Sequence, residues 1–79
     1  MPRELLVVDD EPKICEALKG FFEEKGFHVA IASTAQAALE QIRRVPAEVV
    51  LLDLRLPDRS GLDVLSELKD QFSNLRVIV

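Results

Sequence analysis

Apolar positions along this chain alternate between unbroken runs and a helical spacing. Leu5 to Val8 is a continuous apolar tetrad, the pattern of a strand covered on both faces. Pro12 follows at a favourable first-turn position for a helix. Ile14, Leu18, Phe21 and Phe22 then recur at i, i+4, i+7 and i+8, one stripe of an amphipathic helix. Glu16, Glu23, Glu24 and Lys25 supply its polar faces and Gly26 its C-terminal stop. Phe27 to Ala32 predicts a second strand. Ser33 with Gln36 three residues on forms a capping box. A second helix is therefore expected with Ser33 as N-cap, Ala35, Ala38, Leu39 and Ile42 on its inner face, and Pro46 closing it. Val49 to about Asp53 is a third strand. The stretch "LRLPDRSG" is a loop marked by Pro57, Asp58 and Gly61. Leu62, Leu65, Leu68 and Phe72 form a third helical stripe, and "RVIV" begins a fourth strand.

Strands alternating with helices of this length imply an α/β fold: a parallel sheet with right-handed βαβ crossovers and helices on both faces. The order is β-α-β-α-β-α-β, with no linker and no second domain. The 79 residues suffice for one domain with a thin core. Four Phe and no Trp or Tyr leave the core to aliphatic side chains. The formal charge of −4 argues against nonspecific binding to nucleic acid or to an anionic membrane, both of which need basic patches. A single cysteine, Cys15, excludes an intrachain disulfide and fits a reducing compartment. The amino terminus resembles neither a signal peptide nor a membrane span, so a cytoplasmic location is expected.

The chemistry lies at the strand ends. In open parallel α/β sheets, ligands bind outside the carboxyl ends of the strands, near the switch point of strand order. Asp9 and Asp10 follow the first strand, and Asp53 ends the third. In a 2-1-3-4-5 order those strands are neighbours, about 4.8 Å apart, so the fold gathers the three acids. One Asp after a strand is ordinarily a turn former or a helix cap. Three at the ends of two adjacent central strands are much harder to explain as caps. Clustered carboxylates repel, and either a shared proton or a divalent cation relieves them. An oxygen-only ligand set with no His or Cys suits Mg²⁺ before Zn²⁺. Mg²⁺ fills its remaining positions with water and phosphate oxygens, which makes phosphate chemistry the natural use. A carboxylate can attack a phosphoryl group to form an acyl phosphate. Asp53, alone on its strand beside the paired acids, is the candidate nucleophile.

With "LLVVDDEP", "VVLLDLRLPDRSG" and "RVIV" in this order, the chain resembles the receiver domains of two-component response regulators from Leu5 to Val79. The resemblance implies a flavodoxin-like, CheY-like fold and an aspartate phosphorylated by a partner sensor histidine kinase, so that an output domain or downstream protein is switched. It implies Asp53 as phosphoacceptor and as a Mg²⁺ ligand, Asp10 as a direct Mg²⁺ ligand, and Asp9 acting through a bound water. It adds the backbone carbonyl of Arg55 as a ligand, and Pro57 and Gly61 as residues that shape the loop. Such a module accepts a phosphoryl group and is not an enzyme by itself. The family has five βα units, with a Ser or Thr ending strand four and a Lys ending strand five. Neither residue lies within these 79, so residues 1–79 are expected to be the N-terminal portion of a receiver domain, labelled slowly if at all on their own. The fourth strand is then expected to leave an open apolar edge, and the chain to form a homodimer or a swapped assembly.

Other residues carry plainer expectations. His28 reads as a solvated residue on an edge strand and Cys15 as a small helix residue without redox function. Asp58 and Asp63 are expected to serve the turn and the first turn of the third helix. The Arg55 side chain is a candidate modulator of phosphoryl lifetime. Two rival functions compete with the phosphoacceptor. One is a Mg²⁺-dependent phosphohydrolase with an Asp nucleophile, whose D-x-D spacing after the first strand is D-D here. The other is a non-phosphorylated pseudo-receiver, which the presence of all three acids disfavours.

Overall fold

The computed structural model describes residues 3–79. Along the chain run β1 (Arg3–Val8), α1 (Pro12–Glu24), β2 (Phe27–Ala32), α2 (Ala35–Arg44), β3 (Val49–Leu52), α3 (Gly61–Gln71) and β4 (Arg76–Ile78). The strands form one parallel sheet in the order β2-β1-β3-β4. The expected alternation and strand order are both present. β1 lies between β2 and β3, with Val8 in register with Ala32 on one side and Leu52 on the other. Residues that follow Val8 and Leu52 therefore leave the sheet side by side, at one end.

Leu5, Leu6, Val7 and Val8 are all buried. Successive strand side chains point to opposite faces, so this tetrad feeds two separate cores. Leu6 and Val8 join Val50, Leu52, Ala35, Ala38, Leu39, Ile42, Val64 and Leu68 under α2 and α3. Leu5 and Val7 join Cys15 and Val29 under α1, with Leu18, Phe22, Val49 and Leu51 at the margin. The second core is the thinner one, because α1 alone covers that face among the described residues.

Two helix stripes differ from the expectation. In α1, Ile14 is 46 % exposed and Phe21 53 % exposed, while Cys15 is buried and Leu18 and Phe22 pack inward. The inward line is thus the buried Cys15 with the half-buried Leu18 and Phe22, at i, i+3 and i+7, and the expected four-residue stripe is wider than the contact one helix makes with a sheet. Phe21 instead stands edge-on to Phe22 at 5.0 Å, with the Lys25 ammonium 5.3 Å from its ring centre. In α3, Leu62 is 61 % exposed, and Val64 and Leu68 are the buried pair, flanked by Leu65 and Phe72.

Helix ends follow local chemistry. Pro12 opens α1 and Gly26, at φ 93°, lies just past its end. The N-cap of α2 is Thr34 and not Ser33: its Oγ1 accepts from Ala37 N at 3.1 Å. Only Ser33 has a Gln three residues on, but both hydroxyl residues can cap, and the helix begins at Ala35, which leaves Thr34 as the flanking residue and Ala37 as its partner. Ser60 caps α3 by accepting from Leu62 N, and Asp63 sits in that helix's first turn as expected. On edge strand β2, His28 Nδ1 lies 2.7 Å from Oε2 of Glu4, its register partner, with the imidazole well exposed. No helix among the described residues is long and apolar enough to cross a membrane.

Candidate functional site

The carboxyl ends of β1 and β3 meet where the two strands stop pairing. Asp53 N still donates to Val8 O at 2.9 Å, and Asp9 N to Ala32 O at 3.0 Å, so both acids are held by the last rungs of the ladders. Asp9, Asp10 and Asp53 each offer a carboxylate oxygen, and these oxygens all lie within 4.8 Å of one another. Asp9 and Asp53 are half-buried, and Asp10 is exposed. The structure thus brings together the three acids singled out in the sequence.

Two of the carboxylates are oriented by the turns that follow them. Asp9 Oδ1 accepts from Glu11 N at 2.9 Å, and Asp53 Oδ1 accepts from Arg55 N at 3.0 Å. Asp53 Oδ2 has no donor among the described residues, which leaves one oxygen of this carboxylate available. Behind Asp9, the Cys15 thiol donates to the Asp9 carbonyl at 3.2 Å. Burial pushes this thiol's pKa up, and the negative charges of Asp9, Asp10 and Glu11 push it further in the same direction. A thiol kept protonated is a poor nucleophile and a poor metal ligand. Cys15 is therefore a packing residue that supports the Asp9 turn.

The donor set suits a small hard cation. Two oxygens bound directly to one Mg²⁺ can be no more than about 4.2 Å apart, twice the usual metal–oxygen distance. A cluster spread over as much as 4.8 Å has room for an ion held directly by two carboxylates and by the third through water. Mg²⁺ characteristically keeps such waters.

The loop from Asp53 to Gly61 is tightly organised. Arg55 and Ser60 form an isolated antiparallel bridge across its neck. Gly61 N donates to Leu54 O at 3.0 Å, and a Cβ on Gly61 would meet Leu54 Cα at 2.4 Å and Asp53 O at 2.8 Å. A side chain at Gly61 is thus sterically excluded, because α3 starts in contact with the backbone that carries Asp53. Arg59 Nη1 lies 2.8 Å from Glu67 Oε2 on α3. Asp58, expected only to serve its own turn, reaches across to α2. Its Oδ1 accepts from Ala35 N at 2.9 Å and its Oδ2 from Gln36 N at 3.1 Å. The hydrogen bond from Ala35 N, with that from Gln36 N, holds the Asp58 carboxyl below the ordinary aspartate pKa of 3.8. No local signal pairs residues 23 positions apart, and only the folded loop reveals this contact.

Beside the acids opens a groove of about 540 Å³, lined by Val7, Ile14, Leu18, Leu51 and Ile78 and bordered by Asp9, Asp53 and Arg55. It is the sheet face that α1 leaves uncovered.

Residues 5–79 match the family described as the response regulator receiver domain. This chain belongs to that family. Among curated relatives, the transcriptional regulatory protein KdpE of Mycobacterium tuberculosis is 48% identical over 65 residues, covering 82% of this chain and 29% of the relative. Response regulator RR06 of Streptococcus pneumoniae is 40% identical over 75 residues, covering 95% of this chain and 34% of the relative. The chain thus spans about a third or less of the length of the curated relatives it matches. Among solved structures, the response regulator TrrA of Thermotoga maritima, in complex with Mg²⁺-BeF, superposes with a TM-score of 0.92 at 34% identity. That match covers 98% of this chain and 67% of TrrA. A CheY-like receiver domain from Methanospirillum hungatei gives a TM-score of 0.94 at 28% identity, covering 98% of this chain and 62% of that one. The fold is CheY-like, and the receiver domain is of the type found in two-component systems, among relatives that are transcriptional regulators.

Proposed function

We propose that this receiver domain is a phosphoacceptor: Asp53 takes a phosphoryl group from a partner sensor histidine kinase, and the added charge switches an output domain or downstream protein. One observation carries the proposal. Asp53 stands at the end of a central strand with one carboxylate oxygen held by Arg55 N, its other oxygen without a donor among the described residues, and two further acids within 4.8 Å. In the reaction Asp53 Oδ2 attacks phosphorus, the bond from phosphorus to the donor atom breaks, and that atom leaves with the electron pair. The product is an acyl phosphate.

Mg²⁺ would be held by Asp10, Asp53 and the Arg55 carbonyl, and by Asp9 through water, where it would offset the carboxylate charges and those of the transferring phosphoryl group. The chain's own residues set the geometry. Glu11 N and Arg55 N fix the rotamers of Asp9 and Asp53, and the tight loop through Pro57 and Gly61 holds the Arg55 backbone near the acids. Phosphorylation adds up to about two negative charges beside this cluster, enough to bias a two-state domain. The Arg55 side chain is exposed next to Asp53 and is the proposed modulator of phosphoryl lifetime. The proposed module transfers nothing onward by its own catalysis, and a cytoplasmic location suits a kinase-coupled switch. A phosphohydrolase is disfavoured because the proposed nucleophile and its paired acids come from different strands in a receiver family member. A pseudo-receiver is disfavoured because all three acids converge.

Incubation with a small phosphodonor and Mg²⁺ tests the function. One phosphoryl group per molecule should appear on an intact receiver that carries these residues, mapped by peptide mass to Asp53, and a chelator should prevent it; residues 1–79 alone should be labelled much more slowly or not at all. Absence of any labelling in the protein that carries these residues would overturn the reading. Metal binding is checked separately. In an NMR titration with Mg²⁺, the amides of residues 9–11 and 53–55 should shift first, and uniform shifts would count against the site. Asp10→Asn should weaken binding and, by relieving repulsion, raise the melting temperature of the metal-free protein.

We further propose that the 79-residue chain associates with a second copy through β4. That strand has a hydrogen-bonded neighbour on one side among the described residues, and Ile78 is 57 % exposed beside the apolar groove. An open apolar edge invites pairing. Sedimentation at micromolar concentration should show a species heavier than the 8.9 kDa chain. A folded monomer at every concentration would exclude the association.

A further inference from the structure

We propose that Asp58 is a positioning residue of the acidic site, its carboxylate tying the loop that carries the Arg55 carbonyl to the first two amides of α2. The inference rests on the metal-binding reading of Asp9, Asp10 and Asp53 given above. Three observations lead to it. First, Asp58 accepts from both Ala35 N and Gln36 N, so both carboxylate oxygens are engaged with another element. Second, the N-cap residue of α2 is Thr34, whose Oγ1 takes only the Ala37 amide, so the two amides before it are left to the Asp58 carboxylate of the loop. What Asp58 adds is the link between α2 and the loop. Third, the loop's remaining ties run elsewhere: Arg55 to Ser60 across its own neck, Arg59 to Glu67 on α3, and Gly61 onto Leu54. Asp58 is the loop's hydrogen-bonded anchor on α2 among the described residues. Leu56, two positions earlier, is only partly buried against the larger core. Without the Asp58 contact, the segment from Arg55 to Asp58 keeps its neck and loses its tip.

Groups that orient metal ligands from outside the ligand set commonly alter affinity about 10–100-fold when removed. An exposed carboxylate that acts through the intervening loop backbone belongs at the lower end.

The test compares Asp58→Ala, Asp58→Asn and Thr34→Ala, with Mg²⁺ alone as probe and dissociation constants read from the amide shifts of residues 9–11 and 53–55. Asp58→Ala should weaken Mg²⁺ binding about tenfold. Asp58→Asn retains one acceptor oxygen and should fall between it and the wild type. Thr34→Ala removes a cap from the same helix without touching the loop. It should lower the melting temperature much as Asp58→Ala does, yet leave Mg²⁺ affinity unchanged. In the metal-free protein, the Arg55 and Leu56 amides should shift in Asp58→Ala and stay in place in Thr34→Ala. Should Asp58→Ala fail to fold, the comparison of Asp58→Asn with Thr34→Ala decides alone. Wild-type affinity in the Asp58 variants, or equal weakening by Thr34→Ala, overturns the inference while leaving the acidic site standing. Failure of the wild type itself to bind Mg²⁺ overturns the site reading and this inference with it.

Discussion

Asp53→Asn is expected to abolish phosphoryl uptake from a small phosphodonor and Mg²⁺ in the protein that carries these residues. The substitution is conservative in shape. The amide oxygen can still accept from Arg55 N, the hydrogen bond that now holds Asp53 Oδ1 at 3.0 Å, so the turn after β3 keeps its geometry. What disappears is the anionic oxygen that would attack phosphorus. An amide is a very poor nucleophile, and no neighbouring group replaces it in kind. Asp9 and Asp10 follow β1 and not β3, Asp10 is the exposed member of the three, and both are proposed to serve the Mg²⁺, Asp10 directly and Asp9 through water. Asp9→Asn and Asp10→Asn should therefore slow labelling and not eliminate it. For Asp9, acting through water, the loss should be on the order of 10–100-fold. Removing one of three clustered negative charges should also leave the Asp53→Asn variant at least as heat-stable as the wild type. Loss of labelling then cannot be ascribed to unfolding. Labelling of Asp53→Asn at the wild-type rate, or a wild-type label that maps to Asp9 or Asp10, would refute the assignment of the nucleophile.

The legibility of this site in the sequence has a simple origin. A strand buried on both faces is written as an unbroken apolar run, so Leu5–Val8 and Val49–Leu52 announce themselves. The acid that ends each run must then lie at the same edge of a parallel sheet. Position along the chain and position in space coincide there. Elsewhere they part. The α1 stripe is legible as helical, but which part of it is buried depends on the width of sheet beneath it. Cys15 is inside and Ile14 and Phe21 are outside because α1 lies over β1 and β2, covers β3 only at its margin and leaves β4 open on that face. The cap of α2 falls one residue from its expected place because the Gln36 of a capping box favours Ser33, while the Thr34 hydroxyl caps equally well without a box and the helix begins at Ala35. Asp58 is legible as a turn residue. Its contact with Ala35 and Gln36 arises because the loop after β3 and the start of α2 emerge at the same end of the sheet. That proximity is a property of strand order and cannot be read from any window of neighbouring residues.

The three glycines make the same point and yield the second large prediction: replacing each by alanine should give three different outcomes. Gly20 lies inside α1, and an added Cβ would meet nothing within 4 Å. Alanine there removes the entropic penalty of glycine in a helix and should stabilise the fold by about 0.5–1 kcal/mol. Gly26 has open space too, but its φ of 93° lies in the region that side chains disfavour, so alanine should cost about 1 kcal/mol. Gly61 is the severe case. It is buried, and its added Cβ would sit 2.4 Å from Leu54 Cα, 2.8 Å from Asp53 O and 3.0 Å from Leu54 C. All three are backbone atoms, which cannot rotate aside as a side-chain tip could. Either the start of α3 or the backbone that carries Asp53 must move. Overpacking typically costs about 1–3 kcal/mol, and a clash with rigid backbone belongs at or above the upper end. Against a total stability of roughly 4–12 kcal/mol for a chain of this length, that loss is large. Urea unfolding of the three variants should rank them Gly20→Ala above wild type, then Gly26→Ala, then Gly61→Ala. Gly61→Ala should also displace the Asp53, Leu54 and Arg55 amide shifts and weaken Mg²⁺ binding, effects that the other two should not produce. A Gly61→Ala protein with wild-type stability and unmoved Asp53 shifts would mean that α3 does not rest closely on the backbone that carries Asp53.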